Sequence, residues 1–238
     1  MQKLPLSIEK ELETYCFTFT TQPVSFQVND WLVHLEEMLT YTYKRLGTTI
    51  PGVAASMWMR KYALFVTGQF YMLSKYRLKW SGTITDLAII DSSTDDQWLT
   101  TFLLKTNSWD NVEEKHIADA FHTLLKDFGA AMIEPLAVKT KTPKLVLWEN
   151  IWGYLLWMYG GLLKEAAIAE RVQSDIDLLL ENDVWNSIER RSPFKIFQCF
   201  LTVPQAIDHY KRTTCCFYYK LEEQEKCPYC PNATCNKN

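Results

Sequence analysis

Seven cysteines occur in the 238-residue chain, and five of them, Cys215, Cys216, Cys227, Cys230 and Cys235, crowd into its last stretch. Cys16 and Cys199 stand apart. The crowded set opens with an adjacent pair, Cys215-Cys216. After ten residues, 217–226, it continues as Cys227-Pro-Tyr-Cys230. Thiolates are soft ligands that hold zinc and iron–sulfur clusters. A Cys-x-x-Cys turn lets two sulfurs face one centre while the backbone amides between them hydrogen-bond the sulfur, and Pro228 and Pro231 stiffen that turn. The intervening segment is long enough to fold back as a short hairpin or loop, which would bring the second pair alongside. Four thiolates, two per iron, are what a 2Fe–2S cluster needs.

Three other chemistries draw on the same residues. Cys227-Pro-Tyr-Cys230 matches a dithiol motif of glutaredoxin type, but that motif opens a helix inside a βαβ unit, and only eight residues follow Cys230. Structural zinc usually takes two separated Cys-x-x-Cys pairs or cysteine with histidine. Adjacent Cys215 and Cys216 chelate a single tetrahedral ion awkwardly, and no histidine follows His209. A zinc-bound, non-enzymatic interaction protein with a structural four-cysteine tail therefore stands as the alternative. A disulfide scaffold is disfavoured, because a chain of this length can bury a sizeable core without staples. His34, His116, His122 and His209 show no ligand spacing to one another. His116 and His122 lie six apart, so they do not share a helix face.

The elements around this tail read as mostly helical. Alternating aromatic and polar residues over 15–20 and 24–28 predict one or two short strands, separated by Pro23. Asn29 is placed to cap a helix over 30–46 with Gly47 as its stop, and a second helix is expected over 52–76. Residues 83–90 and 98–105 flank a turn-rich stretch and predict an antiparallel hairpin. Ile117, Phe121, Leu124, Leu125, Phe128 and Met132 keep helical spacing, with Pro135 as the expected end. A long apolar helix is predicted from Pro143 to about residue 169, and another over 173–182. Trp148 and Trp152 share one face of the long helix, and Trp157 lies further along it. Core packing is the default for these rings, and the wall of a ligand pocket is the alternative. The expected class is α+β, predominantly helical, with a small antiparallel β-sheet and a C-terminal cysteine-rich cluster-binding segment. The division is a mainly helical domain over 1–188 and the cluster segment over 189–238.

Bulk properties bound the partners. The net charge of −3 gives no global basic field, so nucleic acid is not expected. The stretch 145–163 is as long as a bilayer is thick, but it carries Glu149 and Asn150 and reads as a buried helix. The chain is accordingly not expected to be an integral membrane protein. No apolar run or cleavage site marks the first residues, so a reducing cytoplasm is the expected compartment. Against the acidic whole, the approach to the cysteines is basic. Arg190, Arg191, Lys195, Lys211, Arg212 and Lys220 face a single acid, Asp208, over the same stretch. Arg190, Arg191, Lys195, Lys211 and Arg212 are the candidate docking residues for an anionic substrate or an acidic electron donor.

At the tail the chain resembles the ferric-siderophore reductases typified by the FhuF protein. That family pairs Cys-Cys with Cys-x-x-Cys across ten residues, as do Cys215-Cys216 and Cys227-Pro-Tyr-Cys230 here. Arg212 before the pair, Tyr219 and Lys220 after it, and Pro231 beyond the motif are similar too. Weaker likeness covers 51–62, with Ala55-Ser56, Trp58 and Arg60-Lys61-Tyr62, and Trp148-Glu149-Asn150. Cys235 has no counterpart. The resemblance implies a cytoplasmic reductase whose 2Fe–2S cluster, held by Cys215, Cys216, Cys227 and Cys230, passes one electron to a chelated Fe(III). Hydroxamate and citrate-hydroxamate siderophores both fit, and no catalytic acid or base is implied beyond the cluster. With eight glycines and no Gly-rich strand–helix turn, a dinucleotide domain is not expected. The electron would then come from a separate donor protein or a soluble reductant.

Overall fold

The computed structural model describes residues 1–20, 22–95, 97–199 and 201–232, so Cys235 lies outside the described residues. Ten α-helices are described: α1 (Leu6–Glu13), α2 (Val28–Val33), α3 (Leu35–Leu46), α4 (Pro51–Tyr76), α5 (Ile117–Leu124), α6 (Ala131–Thr140), α7 (Lys144–Leu162), α8 (Ala169–Leu180), α9 (Pro193–Gln198) and α10 (Val203–Asp208). The six strands are β1 (Phe17–Thr18), β2 (Phe26–Gln27), β3 (Leu78–Trp80), β4 (Leu87–Asp91), β5 (Thr100–Leu104) and β6 (Trp109–Asn111). The protein is α+β and predominantly helical. Its centre is the packing of α4 against α7, two helices too apolar around their circumference to face water on any broad side.

Both central helices start where proline allows. Pro51 stands in the first turn of α4, where a missing N–H costs nothing, and Pro143 immediately precedes α7. The end of α4 is unusual. Arg77 takes the left-handed conformation (φ 55°) that glycine normally supplies. Its side chain is what holds it there. The guanidinium makes paired bonds to Asp175 of α8 (2.7 and 2.9 Å) and to Glu114 (2.8 and 3.0 Å).

The β4–β5 hairpin is antiparallel as expected, in register from Leu87 opposite Leu104 to Asp91 opposite Thr100. The sheet as a whole is mixed rather than antiparallel. Its order is β1-β5-β4-β2, and β1 runs parallel to β5, with Phe17 opposite Phe102. A strand of two residues that arrives from a distant part of the chain has no hairpin to impose direction on it. A second pair, β3–β6, sets Trp80 opposite Trp109 and was not expected from sequence.

Several helix limits also differ. The helix expected over 30–46 is two, broken at His34, whose backbone leaves the helical region. Asn29 lies inside α2 rather than capping it. Pro135 does not end its helix. A π turn over Leu125–Ala130 comes first, in which the Ala131 N–H reaches back five residues to the Lys126 carbonyl, and α6 continues through the proline to Thr140. The long helix α7 stops at Leu162. The following turn is held by short bonds from Lys164 to Gly161 and Glu165 to Leu162, and its Lys164 and Glu165 are exposed, so no burial favours further helix. Among the described residues no helix is long and apolar enough to cross a membrane.

Beyond residue 188 the chain stays on the main core for a while. Phe194 of α9 and Val203 and Ala206 of α10 are buried in it, against α7. From Arg212 onward it leaves that core and packs on a separate small apolar patch of α4.

Candidate metal centre

Two features of α7 seat the tail. Gly153 admits the Tyr210 hydroxyl so closely that a Cβ there would stand 2.9 Å from it, and Gly160 receives the Ile207 side chain. One turn before Gly153, Glu149 presents a carboxylate that is 1% exposed. It accepts the Thr213 N–H at 2.5 Å, the Thr214 N–H at 2.7 Å and the Thr214 hydroxyl. Arg212 lies 3.4 Å from the same carboxylate through Nη2. A buried carboxylate that collects this many donors is a clamp, since each bond to the charged form offsets part of its desolvation. The clamp fixes the backbone immediately before Cys215.

Arg212 also joins the two limbs of the tail. Its N–H donates to the Tyr229 carbonyl at 2.9 Å, and its Nε donates to the Thr214 carbonyl at 3.0 Å. On the far limb the Cys230 N–H closes a tight turn onto the Cys227 carbonyl at 2.9 Å, and Lys226 Nζ caps the Asn232 carbonyl at 2.7 Å. Between the limbs, Phe217 turns left-handed (φ 65°) and a single 3-10 turn, Tyr218–Lys220, reverses the chain. The connecting segment is thus a folded loop, of the kind the spacing required.

The four sulfurs meet. Cys215 has Cys230 and Cys216 as neighbours, and Cys227 has Cys216 and Cys230. Cys216 and Cys230 are buried, and Cys216 packs on Val53 and Met57 of α4. Burial pushes the Cys215 thiol up, and it pushes Cys227 up to about 11, with the neighbouring sulfurs adding to both. One N–H already points at sulfur, from Phe217 to Cys215 Sγ at 3.4 Å. Four thiols forced together with little water favour a multivalent cation that would take their protons' place. Among the described residues no three His, Cys, Asp or Glu side chains surround one ion position. The donor set suits a binuclear centre in its chemistry, because each iron of a 2Fe–2S cluster needs only two protein sulfurs.

The basic residues separate into two places. Arg190, Arg191 and Lys195 are exposed around the start of α9. Arg191 and Lys195 border a groove with Cys199, and Arg190 and Arg191 border another with Lys144 and Trp148. Lys211 is exposed beside the tail, whereas Arg212 is buried and bonded to backbone. Of these five, Arg212 lines a cavity of about 120 Å³ at Cys216.

That cavity holds residues that the sequence did not mark as site residues. Arg60 comes from α4, Asn150 and Tyr154 from α7, and Tyr210 and Tyr229 from the tail limbs. Trp157, 58% exposed, stands at its rim, while Trp148 and Trp152 pack on Phe194 in the core. The available signal was the polar pair Glu149-Asn150 inside an otherwise apolar helix, which reads as polarity awaiting a partner. Among the histidines, His122 bonds the Val184 carbonyl through Nδ1, and His209 is exposed at the end of α10. Comparison with models of known protein families and with curated protein sequences gave no match.

Proposed function

We propose that the chain binds a 2Fe–2S cluster through Cys215, Cys216, Cys227 and Cys230 and uses it as a cytoplasmic reductase of ferric siderophores. The observation that carries this reading is that an adjacent cysteine pair and a Cys-x-x-Cys turn lie on two chain limbs joined by Arg212, which makes the four sulfurs neighbours. When bound, such a cluster supplies one electron at a time. Siderophore oxygens hold Fe(III) far more tightly than Fe(II), so a single electron is enough to loosen the metal. The protein's residues need not move a proton in that step.

Their work is placement. Glu149 and Arg212 hold the Thr213–Cys216 limb, the Cys227–Cys230 turn holds the other, and the Phe217 N–H is directed at a ligand sulfur, where hydrogen bonding raises a cluster's potential. Cys216 and Cys230 are shielded while Cys215 and Cys227 stay partly open. A centre of that kind can pass electrons at its exposed edge and resist hydrolysis at its buried one. A separate donor protein or a soluble reductant delivers the electron.

Anaerobic purification tests the reading. A red-brown protein with about two irons and matching inorganic sulfide per chain, bleached by dithionite and re-oxidised by a ferric siderophore, is the expected result. A colourless protein holding zinc after faithful reconstitution would replace it with the non-enzymatic zinc-tail reading.

A further inference from the structure

Two residues that line the cavity at Cys216, Asn150 and Arg212, each carry a buried polar atom without a hydrogen bond. Asn150 is 2% exposed. Its Nδ2 donates to the Ser56 carbonyl and lies 3.0 Å from the Ser56 hydroxyl, which fixes the amide's orientation and leaves Oδ1 without a donor. Arg212 is 6% exposed, and its Nη2 makes no hydrogen bond, its contact being the ion pair with Glu149 Oε2 at 3.4 Å. Buried orphans of this sort are rare in proteins and cost free energy unless something binds them. They differ in kind, one an acceptor and one a cationic donor, so what they lack is a ligand with a donor beside an anionic oxygen.

Arg60 adds a second cation. Its guanidinium lies 5.4 Å from the centre of the Tyr218 ring, and Tyr154, Cys216 and Tyr229 line the same cavity. Glu149 is near Arg212 but is already committed to Thr213 and Thr214. The cavity is about 120 Å³, below the ~300 Å³ of a site that encloses a drug-sized ligand. It can take one arm of a chelate while the bulk stays outside, against the exposed Trp157 indole.

We infer that this cavity binds a carboxylate arm of an anionic ferric chelate, which selects citrate-hydroxamate over neutral tris-hydroxamate siderophores. The inference rests on the proposed reductase reading for the identity of the chelate. The carboxylate sits between Arg60 and Arg212, and an adjacent amide N–H or hydroxyl of the chelate donates to Asn150 Oδ1. A thiolate-bound cluster is itself negative and would repel such a ligand. The two guanidiniums offset that charge on the side where the ligand approaches.

Gallium(III) chelates test this separately from reduction, because Ga(III) has the charge and nearly the size of Fe(III) but accepts no electron. Calorimetric titration of the purified holoprotein should show the gallium citrate-hydroxamate binding roughly tenfold or more tighter than the neutral gallium tris-hydroxamate. The preference should shrink with salt and be lost in Arg60→Gln, whose cluster content and visible spectrum are measured alongside. Equal binding of the two chelates overturns the inference. So does an Arg60→Gln protein that keeps the preference while its cluster potential shifts, since Arg60 would then serve the cluster alone. Selective anion binding by a protein that proves to hold no inorganic sulfide would keep the cavity's role and remove the reductase reading.

Discussion

Glu149 is held by three hydrogen bonds, from two backbone amides and one hydroxyl, with a guanidinium nearby, in a place with almost no water. Glu149→Gln keeps the shape but turns one acceptor oxygen into a donor that faces N–H groups. A lost hydrogen bond to a charged group costs about 1.5–3 kcal/mol. The expected outcome is a lower melting temperature together with faster bleaching of the visible bands in the presence of an iron chelator. Unchanged bleaching would mean the clamp does not position the ligands. The cysteines make a second prediction at this scale. Ser in place of Cys215, Cys216, Cys227 or Cys230 should each damage cluster retention, read as iron and sulfide per chain. Cys235→Ser should not, and if it proves the most damaging substitution, the ligand set is wrong.

Elements here are joined by a few close fits. At Gly129, in the π turn before α6, a Cβ would stand 2.7 Å from the Trp148 ring of α7. That ring cannot retreat, because Trp185 and Phe194 pack on it with centroids 4.9 and 6.1 Å away. Gly129→Ala should destabilise by about 1–3 kcal/mol in denaturant unfolding, the usual range for overpacking a core. The join between α4 and α8 includes a charged pair beside the buried Val172, Ile176 and Leu179. Arg77→Met strands Asp175, 1% exposed, without its cation, and losing one partner of a buried pair costs about 3–5 kcal/mol. Glu114 stays mostly in water, so Glu114→Gln should change stability by less than about 1 kcal/mol. Equal effects of the two would show that the helix end, rather than the buried pair, sets the energy.

The described residues form two apolar centres of unequal size. The large one contains α4, α7 and most of the other elements, whereas Cys216 belongs to a small one with Val53 and Met57. Removal of the cluster should therefore disturb the tail without unfolding the helices. The far-ultraviolet circular dichroism of metal-free protein should stay close to that of the holoprotein, and proteolysis should nick the region after residue 212 first. Collapse of the helical signal on metal removal would show that the cluster holds the whole fold together. Within 189–238, α9 and α10 contribute Phe194, Val203 and Ala206 to the large centre.

The cysteine spacing by itself determined the candidate site and its donor chemistry, because ligand type and chain length are local properties. The apolar runs likewise placed α4 and, after Pro143, the start of α7, but not its end, which comes at Leu162 rather than about residue 169. What only the tertiary structure decided is whatever depends on a partner far along the chain. Arg77 ends α4 because Asp175 is there to receive it, and Pro135 stays in a helix because a π turn precedes it. The parallel strand β1 takes its direction from β5 rather than from a turn of its own. The cavity at Cys216 is of the same kind. Arg60, Asn150 and Arg212 are ordinary residues in three separate segments, and only the packing of α4, α7 and the tail brings them to one place and leaves two of them with a buried polar atom that makes no hydrogen bond.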